Sequence, residues 1–215
     1  VTTSAVKDGN HYRINGSKTF ITNGQSADLI CLVAKTDKKQ GARGVSLIMV
    51  ETDGLEGFRR GRNLKKIGLK SQDTSELFFD NVKVPQTHLL GTEEGQGFYQ
   101  LMKQLPWERL YIGITALGSM DCALEETTRY VQERKAFGQR VMDFQNTRFK
   151  LAEIKTKIEV TRSFINDAIT RLETGTLDAA TASMAKWWGS QVQCDIIDEC
   201  LQLHGGYGYM MEYPI

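Results

Sequence analysis

Hydrophobic and polar positions follow two different periods along the chain. From residue 1 to about residue 90, short runs of β-branched and aromatic residues alternate with turn residues, which is typical of β-strands. From about residue 94 onward, apolar positions recur every three to four residues, as on one face of an amphipathic helix. The pattern predicts an α+β fold, with a β domain at 1–90 and a helical domain at 91–215.

The β region contains five strand-like runs separated by turn residues. Asn15-Gly16 and Asn23-Gly24 are dipeptides that favour tight hairpin turns. Glycines punctuate residues 51–74, which indicates a long connection. Pro85 is expected to end the β region, because proline cannot donate to a sheet ladder. The spacing fits a small antiparallel β barrel or sandwich. The runs are residues 11–14, 18–22, 28–35, 44–50 and 75–79.

Four apolar stripes predict four helices in the second region. The stripe from 144 to 172 alternates steps of three and four residues, which is a heptad seam. Such a seam packs either against a coiled-coil partner or against other helices of the same chain. The neighbouring amphipathic helices favour an internal bundle. We therefore predict an up-down four-helix bundle. The stripes cover residues 98–105, 110–131, 144–172 and 177–203.

Composition excludes some classes of function. Of 215 residues, 25% are charged and the net charge is +1, which argues against a dedicated nucleic-acid binder. No apolar run approaches the ~20 residues of a membrane span, so none is expected.

The four cysteines match no metal-ligand spacing, so we expect no metal site. We interpret them as buried, reduced thiols of an intracellular protein. Val1 stands where Met would begin a chain, and we expect a segment of a longer protein.

Glu108 is a candidate general base. It follows Pro106 and Trp107 in an otherwise apolar stretch, and a proline there is expected to kink or interrupt the helix. A carboxylate among apolar side chains can have its pKa raised by desolvation, which suits a base near neutral pH. The alternative is a surface glutamate paired with Arg109 or Lys103.

Two further segments could bind a ligand. Residues 133–140 place three cations and a glycine beside an aromatic ring, which could hold a phosphate and stack an adenine. Residues 202–209 contain adjacent glycines that allow a close backbone approach. The alternatives are a solvated loop and a helix cap with its turn. No Gly-x-Gly-x-x-Gly or P-loop pattern supports a Rossmann or P-loop domain.

Taken together, these segments resemble the acyl-CoA dehydrogenase family over essentially the whole chain. Residues 14–24, INGSKTFITNG, resemble its flavin-contacting strand, and residues 79–85, FDNVKVP, resemble the end of its middle domain. ERKAFG at 133–138 and QLHGG at 202–206 resemble its two helical-domain motifs. The chain is most similar to the long-chain type.

The resemblance implies FAD as the cofactor and assigns its contacts. Two groups of residues are involved, one against the flavin ring and one at the adenine and phosphate end of a neighbouring subunit's FAD. A cofactor shared between subunits implies a homo-oligomer, usually a tetramer. The first group is Phe20, Ile21 and Thr22, and the second is Arg134, Phe137, Gln145, Gln202, Leu203, His204, Gly205 and Gly206.

The resemblance also assigns the base and the substrate site. LPWERL at 105–110 resembles the arrangement in which the catalytic glutamate lies on a helix after the middle domain, which makes Glu108 the base. Arg109 would orient Glu108, and Tyr99, Pro106, Trp107, Glu108 and Arg109 would line the acyl-CoA pocket.

The implied reaction is the α,β-dehydrogenation of a fatty acyl-CoA thioester. Glu108 would take the α-proton while a hydride leaves the β-carbon for flavin N5, giving a trans-2-enoyl-CoA. Electrons would pass to an electron-transfer flavoprotein. An acyl-CoA oxidase would use the same base and return electrons to oxygen. A non-catalytic relative, acting in assembly or binding, is a second alternative, against which the near-zero charge and Glu108 both argue.

Overall fold

The strands and helices are seen in a computed structural model that describes all 215 residues. The chain divides into two units, Val1–Lys103 and Gln104–Ile215. Strands occupy the first unit and long helices the second, so the predicted α+β class is confirmed. The domain division at residue 90 stays a prediction.

The six strands of the first unit form one sheet in the order β4-β3-β1-β2-β6-β5. Neighbours are antiparallel except β1 and β3, which run parallel. The expected barrel or sandwich is therefore a single six-stranded sheet with one parallel pair, in which β4 and β5 are the edges. Alternating side chains such as Tyr12 and Ile14 fill the core on one face. The strands are β1 (Ser4–Asp8), β2 (His11–Thr22), β3 (Leu29–Lys35), β4 (Val45–Glu51), β5 (Phe58–Asn63) and β6 (Thr74–Pro85).

The Asn15-Gly16 pair lies inside β2 and not at the predicted hairpin turn. The pairing of β2 with β6 shifts between Ile14 and Gly16. Gly16 has φ +145°, and a Cβ there would lie 2.7 Å from the Cα of Thr3, so the close approach of the chain requires glycine. The hairpin turn is at Gly9, φ +58°, between β1 and β2. Asn23-Gly24 is a turn, but it connects β2 to β3, which do not pair.

The strand β5 lies in the segment expected to be a connection. Its sequence, FRRGRN, has no alternation of apolar and polar residues, which explains why the pattern missed it. The guanidinium of Arg59 lies 4.2 Å from the ring centroid of Phe78, and that of Arg60 lies 5.4 Å from the ring of Phe58. These contacts cover the apolar rings with cations. β6 extends beyond the predicted 75–79 to Pro85, which ends the strands of the first unit, as predicted.

The segment before the first helix is fixed to the sheet of the first unit. The buried Tyr12 donates a hydrogen bond of 2.6 Å from its hydroxyl to Glu94, which also pairs with Lys7. Burial raises the pKa of Tyr12, and the hydrogen bond to Glu94 raises it further by a smaller amount. The backbone N–H of Gly95 donates to the hydroxyl of Ser46. The chain therefore enters the helix from a defined position.

Three long helices replace the four that were predicted. They are α1 (Gly97–Glu133), α2 (Gln145–Glu173) and α3 (Ala179–Leu203). The first two apolar stripes belong to α1, which continues through Pro106 without interruption. A proline inside a helix costs about 3 kcal/mol, because its nitrogen cannot bond the carbonyl of residue i−4. Burial of Leu110, Leu117 and Met120 on the following turns offsets that cost.

The heptad seam of α2 is used within the bundle. Its side chains pack against α1 and α3, and the Nε1–H of Trp188 donates a 3.0 Å hydrogen bond to Thr161 on the seam. This confirms the internal bundle over a coiled-coil partner. No helix combines the length and the apolar character needed to cross a membrane. The buried seam residues are Thr147, Ile154, Ile158, Thr161, Ile165 and Ala168.

The cysteines depart from the expectation of buried thiols. All four are free, and only Cys200 is buried. The other three lie on exposed positions of strands or helices, where the thiol replaces an ordinary surface side chain. They are Cys31, Cys122 and Cys194.

α1 and α3 approach closely at a pair of glycines. A Cβ on Gly113 would lie 2.9 Å from the carbonyl oxygen of Ala185 and 2.8 Å from the Cδ1 of Ile165. A Cβ on Gly189 would lie 3.1 Å from the Cα of Gly113. The two backbones meet where neither helix carries a side chain, so the crossing distance depends on both glycines.

Gly113→Ala is expected to destabilise the protein, although alanine favours a helix over glycine by about 1 kcal/mol. The added methyl group meets a backbone carbonyl that cannot rotate away, so the helices must separate and core contacts are lost. Gly118→Ala is the matched control, because the same change on α1 meets no atom within 4 Å. Thermal unfolding should show a lower Tm for Gly113→Ala and an equal or higher one for Gly118→Ala. Equal effects of the two would contradict the close crossing.

Candidate functional site

A β-bulge presents Phe20 on the surface of the first unit. Between Lys18 and Ile21, β2 carries one more residue than the facing part of β6. Phe20 has φ +59° and is 76% exposed. A left-handed backbone is uncommon for an aromatic residue, and a bulge re-aims a side chain out of the regular alternation. Ile21 is half-buried and Thr22 is exposed. The bulge therefore offers an aromatic face and a nearby hydroxyl to a planar ligand.

The turn after Thr22 is held by one carboxylate. Asp73 accepts a 2.7 Å hydrogen bond from the N–H of Gln25 and a 3.1 Å bond from the hydroxyl of Ser26. Its backbone carbonyl accepts from the N–H of Asn23. These bonds fix the end of β2 beside β6, so the bulge is carried by a rigid strand end.

The second unit contains a groove of about 530 Å³ that brings the two helical-domain motifs together. The end of α1 forms one wall, together with a short hairpin of β7 (Lys135–Ala136) and β8 (Gln139–Arg140). The end of α3 and the following 3₁₀ turn, Gly205–Tyr209, form the other. Six of the predicted cofactor-binding residues line it. They are Arg134, Gln202, Leu203, His204, Gly205 and Gly206.

His204 joins the two walls from inside. It is 3% exposed, its ring stacks on Tyr130 at 4.2 Å, and its Nδ1 lies 3.0 Å from the carbonyl oxygen of Cys200. Because a carbonyl only accepts, Nδ1 carries the hydrogen. The hydroxyl of Tyr130 donates to the carbonyl of His204 at 3.1 Å. The imidazole is therefore engaged within the protein, and it shapes the groove.

The two glycines leave the backbone of the groove uncovered. Gly205 has φ +59°, a conformation that favours glycine. A Cβ on either Gly205 or Gly206 would meet no protein atom within 4 Å. The glycines therefore make room for something other than this chain, and a ligand can approach the main chain closely.

Phe137 stands at the tip of the β7–β8 hairpin and does not line the groove. Its φ of +53° and the +84° of Gly138 form a two-residue turn of the type that usually contains Asn-Gly. The ring is 96% exposed and meets Phe144 edge-on at 6.4 Å. Gln145, the first residue of α2, is exposed and also lies outside the groove lining. An apolar ring held in a disfavoured conformation in water suits a residue that serves an intermolecular contact.

Glu108 is exposed and makes no ion pair or hydrogen bond within the protein. The apolar surroundings expected from the sequence are absent. Leu110 points into the core, while Glu108 lies about 200° away from it around the helix axis. Its exposed neighbour Trp107 stacks on Tyr111 at 5.7 Å. Glu108 also does not pair with Arg109 or Lys103, which was the alternative expected from the sequence. Its carboxylate oxygens are therefore free to accept a proton or a hydrogen bond from a ligand.

Arg109 contacts α3 and not Glu108. Its Nη1 donates a 3.1 Å hydrogen bond to the hydroxyl of Ser183, which in turn donates to the carbonyl of Ala179. Adjacent residues on a helix do not face each other, which explains why the two charged side chains are separate. Arg109 therefore ties the turn that carries Glu108 to α3.

Tyr99 belongs to the first unit, whereas residues 106–109 belong to the second. It is half-exposed, meets Phe98 edge-on at 6.0 Å, and lines a polar cavity of about 350 Å³ that also includes Arg43 and Glu94. Its placement in an acyl pocket stays a prediction.

Several residues of the groove were not found from the sequence. Tyr130 lies one helical turn before Arg134, a spacing that places both side chains on one face, and this signal could have identified it. Tyr207 follows the glycine pair directly. Nothing in the sequence marks Val141 and Met210 as groove residues, because a single apolar residue in a short turn is usually just partly buried. Outside the groove, Asp73 and Ser183 were also not found, because they act only through tertiary contacts, with the turn after Thr22 and with Arg109 respectively.

Comparison with known proteins identifies the family. Residues 1–82 match the model for the acyl-CoA dehydrogenase middle domain, and residues 95–215 match the model for the acyl-CoA dehydrogenase C-terminal domain. The chain is 51% identical to the mitochondrial long-chain specific acyl-CoA dehydrogenase of Sus scrofa, over 100% of this chain and 50% of that protein. The chain therefore belongs to the acyl-CoA dehydrogenase family, as the sequence motifs indicated.

Solved structures agree with this assignment. An acyl-CoA dehydrogenase from Geobacillus kaustophilus is 49% identical with a TM-score of 0.95, covering 100% of this chain and 56% of that one. A glutaryl-CoA dehydrogenase from Mycobacterium smegmatis in complex with FADH2 is 30% identical with a TM-score of 0.90, covering 99% and 53%. The chain spans about half the length of the relatives it matches.

Tyr130→Phe is expected to lower the free energy of unfolding by about 1 kcal/mol. The ring stack on His204 remains, but the carbonyl of His204 loses its donor. Tyr209→Phe is the matched control, because the hydroxyl of Tyr209 makes no hydrogen bond and the side chain is exposed. Denaturant titration measures both. Equal stability of the two variants would show that the Tyr130 hydroxyl does not stabilise the groove.

Proposed function

We propose that the complete protein is an FAD-dependent acyl-CoA dehydrogenase that converts a long-chain acyl-CoA to the trans-2-enoyl-CoA, with Glu108 as the base. The observation that carries the proposal is the groove of the second unit, where two motifs distant in sequence meet around an uncovered glycine backbone. The long-chain substrate is supported by the whole-chain identity to the Sus scrofa enzyme.

The residues of the groove fit the adenine and diphosphate end of FAD. Arg134 offers a cation that pairs with no carboxylate in the chain, and Gly205 and Gly206 offer open main chain. Tyr130 supplies aromatic surface for a base. Charge-assisted bonds from arginine to phosphate are among the strong polar contacts of proteins. Phe137 and Gln145 remain proposed contacts to the same cofactor.

The bulge of the first unit fits the flavin ring. Phe20 offers an exposed aromatic face, and Thr22 offers a hydroxyl that can bond a ring nitrogen. When bound, the flavin supplies the two-electron oxidation, accepting the hydride from the β-carbon. We further propose that the groove of one subunit serves the FAD of a neighbour in a homotetramer, and that an electron-transfer flavoprotein receives the electrons, in the mitochondrial matrix or the bacterial cytoplasm.

Glu108 suits the role of base because its carboxylate has no competing partner in the chain. Because Glu108 is exposed, the substrate itself would remove water from it. An acyl chain lying against Trp107 and Tyr111 would do so, and desolvation raises the proton affinity of a carboxylate. Hydrogen bonds to the thioester carbonyl would stabilise the charge that develops as the α-proton leaves. Arg109, held by Ser183, would keep the turn in place.

Glu108→Gln is expected to abolish turnover while FAD stays bound, because the amide keeps the shape but cannot take a proton. Bleaching of the flavin absorbance on mixing with acyl-CoAs of graded chain length measures the reaction. Glu173→Gln is the control, since Glu173 is another exposed glutamate without an ion pair. Retention of most activity by Glu108→Gln would refute the assignment. Rapid reoxidation of the bleached flavin by air would instead indicate an oxidase.

Gly206→Ala is expected to leave the fold intact and to weaken FAD binding at least about tenfold, which corresponds to about 1.4 kcal/mol. The methyl group meets no protein atom within 4 Å and no strained φ, so only an occupant of the groove can be displaced by it. Titration of the apoprotein with FAD measures the affinity, and Gly118→Ala, an equally unobstructed change on α1, is the control. Unchanged affinity would argue that the cofactor does not approach this backbone.

A further inference from the structure

The side chain of Arg134 is supported by an aromatic ring. The guanidinium carbon lies 4.9 Å from the ring centroid of Tyr207, on the opposite wall of the groove. The side chain of Arg134 makes no hydrogen bond and no ion pair. The contact with the Tyr207 ring is therefore what positions the guanidinium. A ring face covers one side of the planar guanidinium and leaves its N–H edges free. The arrangement fixes the cation without consuming its donors.

Tyr207 is itself held in place. Its ring packs at 4.9 Å against Tyr213, which meets Tyr130 edge-on at 5.9 Å. The backbone behind it is tight, because a Cβ on Gly208 would lie 2.6 Å from the carbonyl oxygen of Leu201. The hydroxyl of Tyr207 makes no hydrogen bond, so the ring face is what Tyr207 contributes. A fixed ring beside a long flexible cation reduces the conformational freedom that the cation loses on binding.

We propose that Tyr207 is a positioning residue that holds Arg134 over the groove, ready to bind the diphosphate of FAD. This inference rests on the proposed function of the groove. A cation over an aromatic face at an exposed site is stabilised enough to change a binding constant about two- to five-fold. The benefit appears in cofactor affinity, because the ring orders the guanidinium before FAD arrives.

The test measures the dissociation constant of FAD for the intact apoprotein, by quenching of flavin fluorescence. Tyr207→Leu is expected to weaken binding about two- to five-fold, whereas Tyr207→Phe, which keeps the ring, should bind as the unmodified protein does. Tyr207→Met, whose unbranched side chain reaches further and adapts to its surroundings, replaces Tyr207→Leu should that variant fold poorly, as judged by its Tm without FAD. Tyr209→Leu, an exposed tyrosine in the same turn, is the control and should change nothing.

A double-mutant cycle with Arg134→Gln separates positioning from simple support of the fold. With Arg134 replaced, Tyr207→Leu should cause no further loss of FAD affinity. An equal loss in both backgrounds would overturn the inference, as would equal weakening by Tyr207→Phe and Tyr207→Leu. If Arg134→Gln alone leaves the affinity unchanged, the proposed role of the groove fails. If Arg134→Gln weakens binding but Tyr207→Leu does not, only the role of Tyr207 fails.

Discussion

The stack of the buried His204 ring on Tyr130 is the contact on which the candidate cofactor site depends. It joins the end of α1 to the end of α3, and the hydrogen bonds of both residues reinforce it. The two motifs lie on separate helix ends, and this junction contacts both of them. The groove is therefore a consequence of bundle packing, in which His204, predicted from the resemblance as a cofactor contact, is buried and holds the residues around it.

The fold could be predicted from the sequence where periodicity is strong. The change from strands to helices, the seam of α2 and the end of β6 at Pro85 were all visible. Prediction failed where tertiary contacts outweigh local preference. Gly16 resembles a turn residue, but Thr3 packs where its side chain would be. Pro106 resembles a helix break, but the buried residues after it keep α1 continuous.

For the candidate site, the sequence motifs predicted which residues come together better than they predicted their surroundings. Short motifs identified six residues that line the groove, because adjacent glycines and clustered cations beside an aromatic ring are unusual in sequence. The environment of Glu108 could not be predicted, because apolar neighbours in sequence point in different directions around a helix. Tyr207 and Ser183 act through side-chain contacts between elements, and one sequence contains no information on which elements will meet.

Two aromatic residues, Phe20 and Phe137, stand in left-handed backbone conformations with their rings in water. Each arrangement lowers the free energy of unfolding for two reasons, which are backbone strain and apolar surface left in water. Both lie in strand irregularities, a bulge and a hairpin tip, where the surrounding hydrogen bonds impose the conformation. The chain thus tolerates locally unfavourable structure where aromatic surface is offered outward.

The composition of the edge strand β5 has a consequence for association between molecules. An edge strand presents unpaired N–H and C=O groups that can recruit a strand of another copy. Here three of six residues are arginines, and Arg59 and Arg62 face outward. Bringing two such edges together would crowd like charges along the new ladder. The sheet therefore has an electrostatic barrier against growing into a larger aggregate at this border.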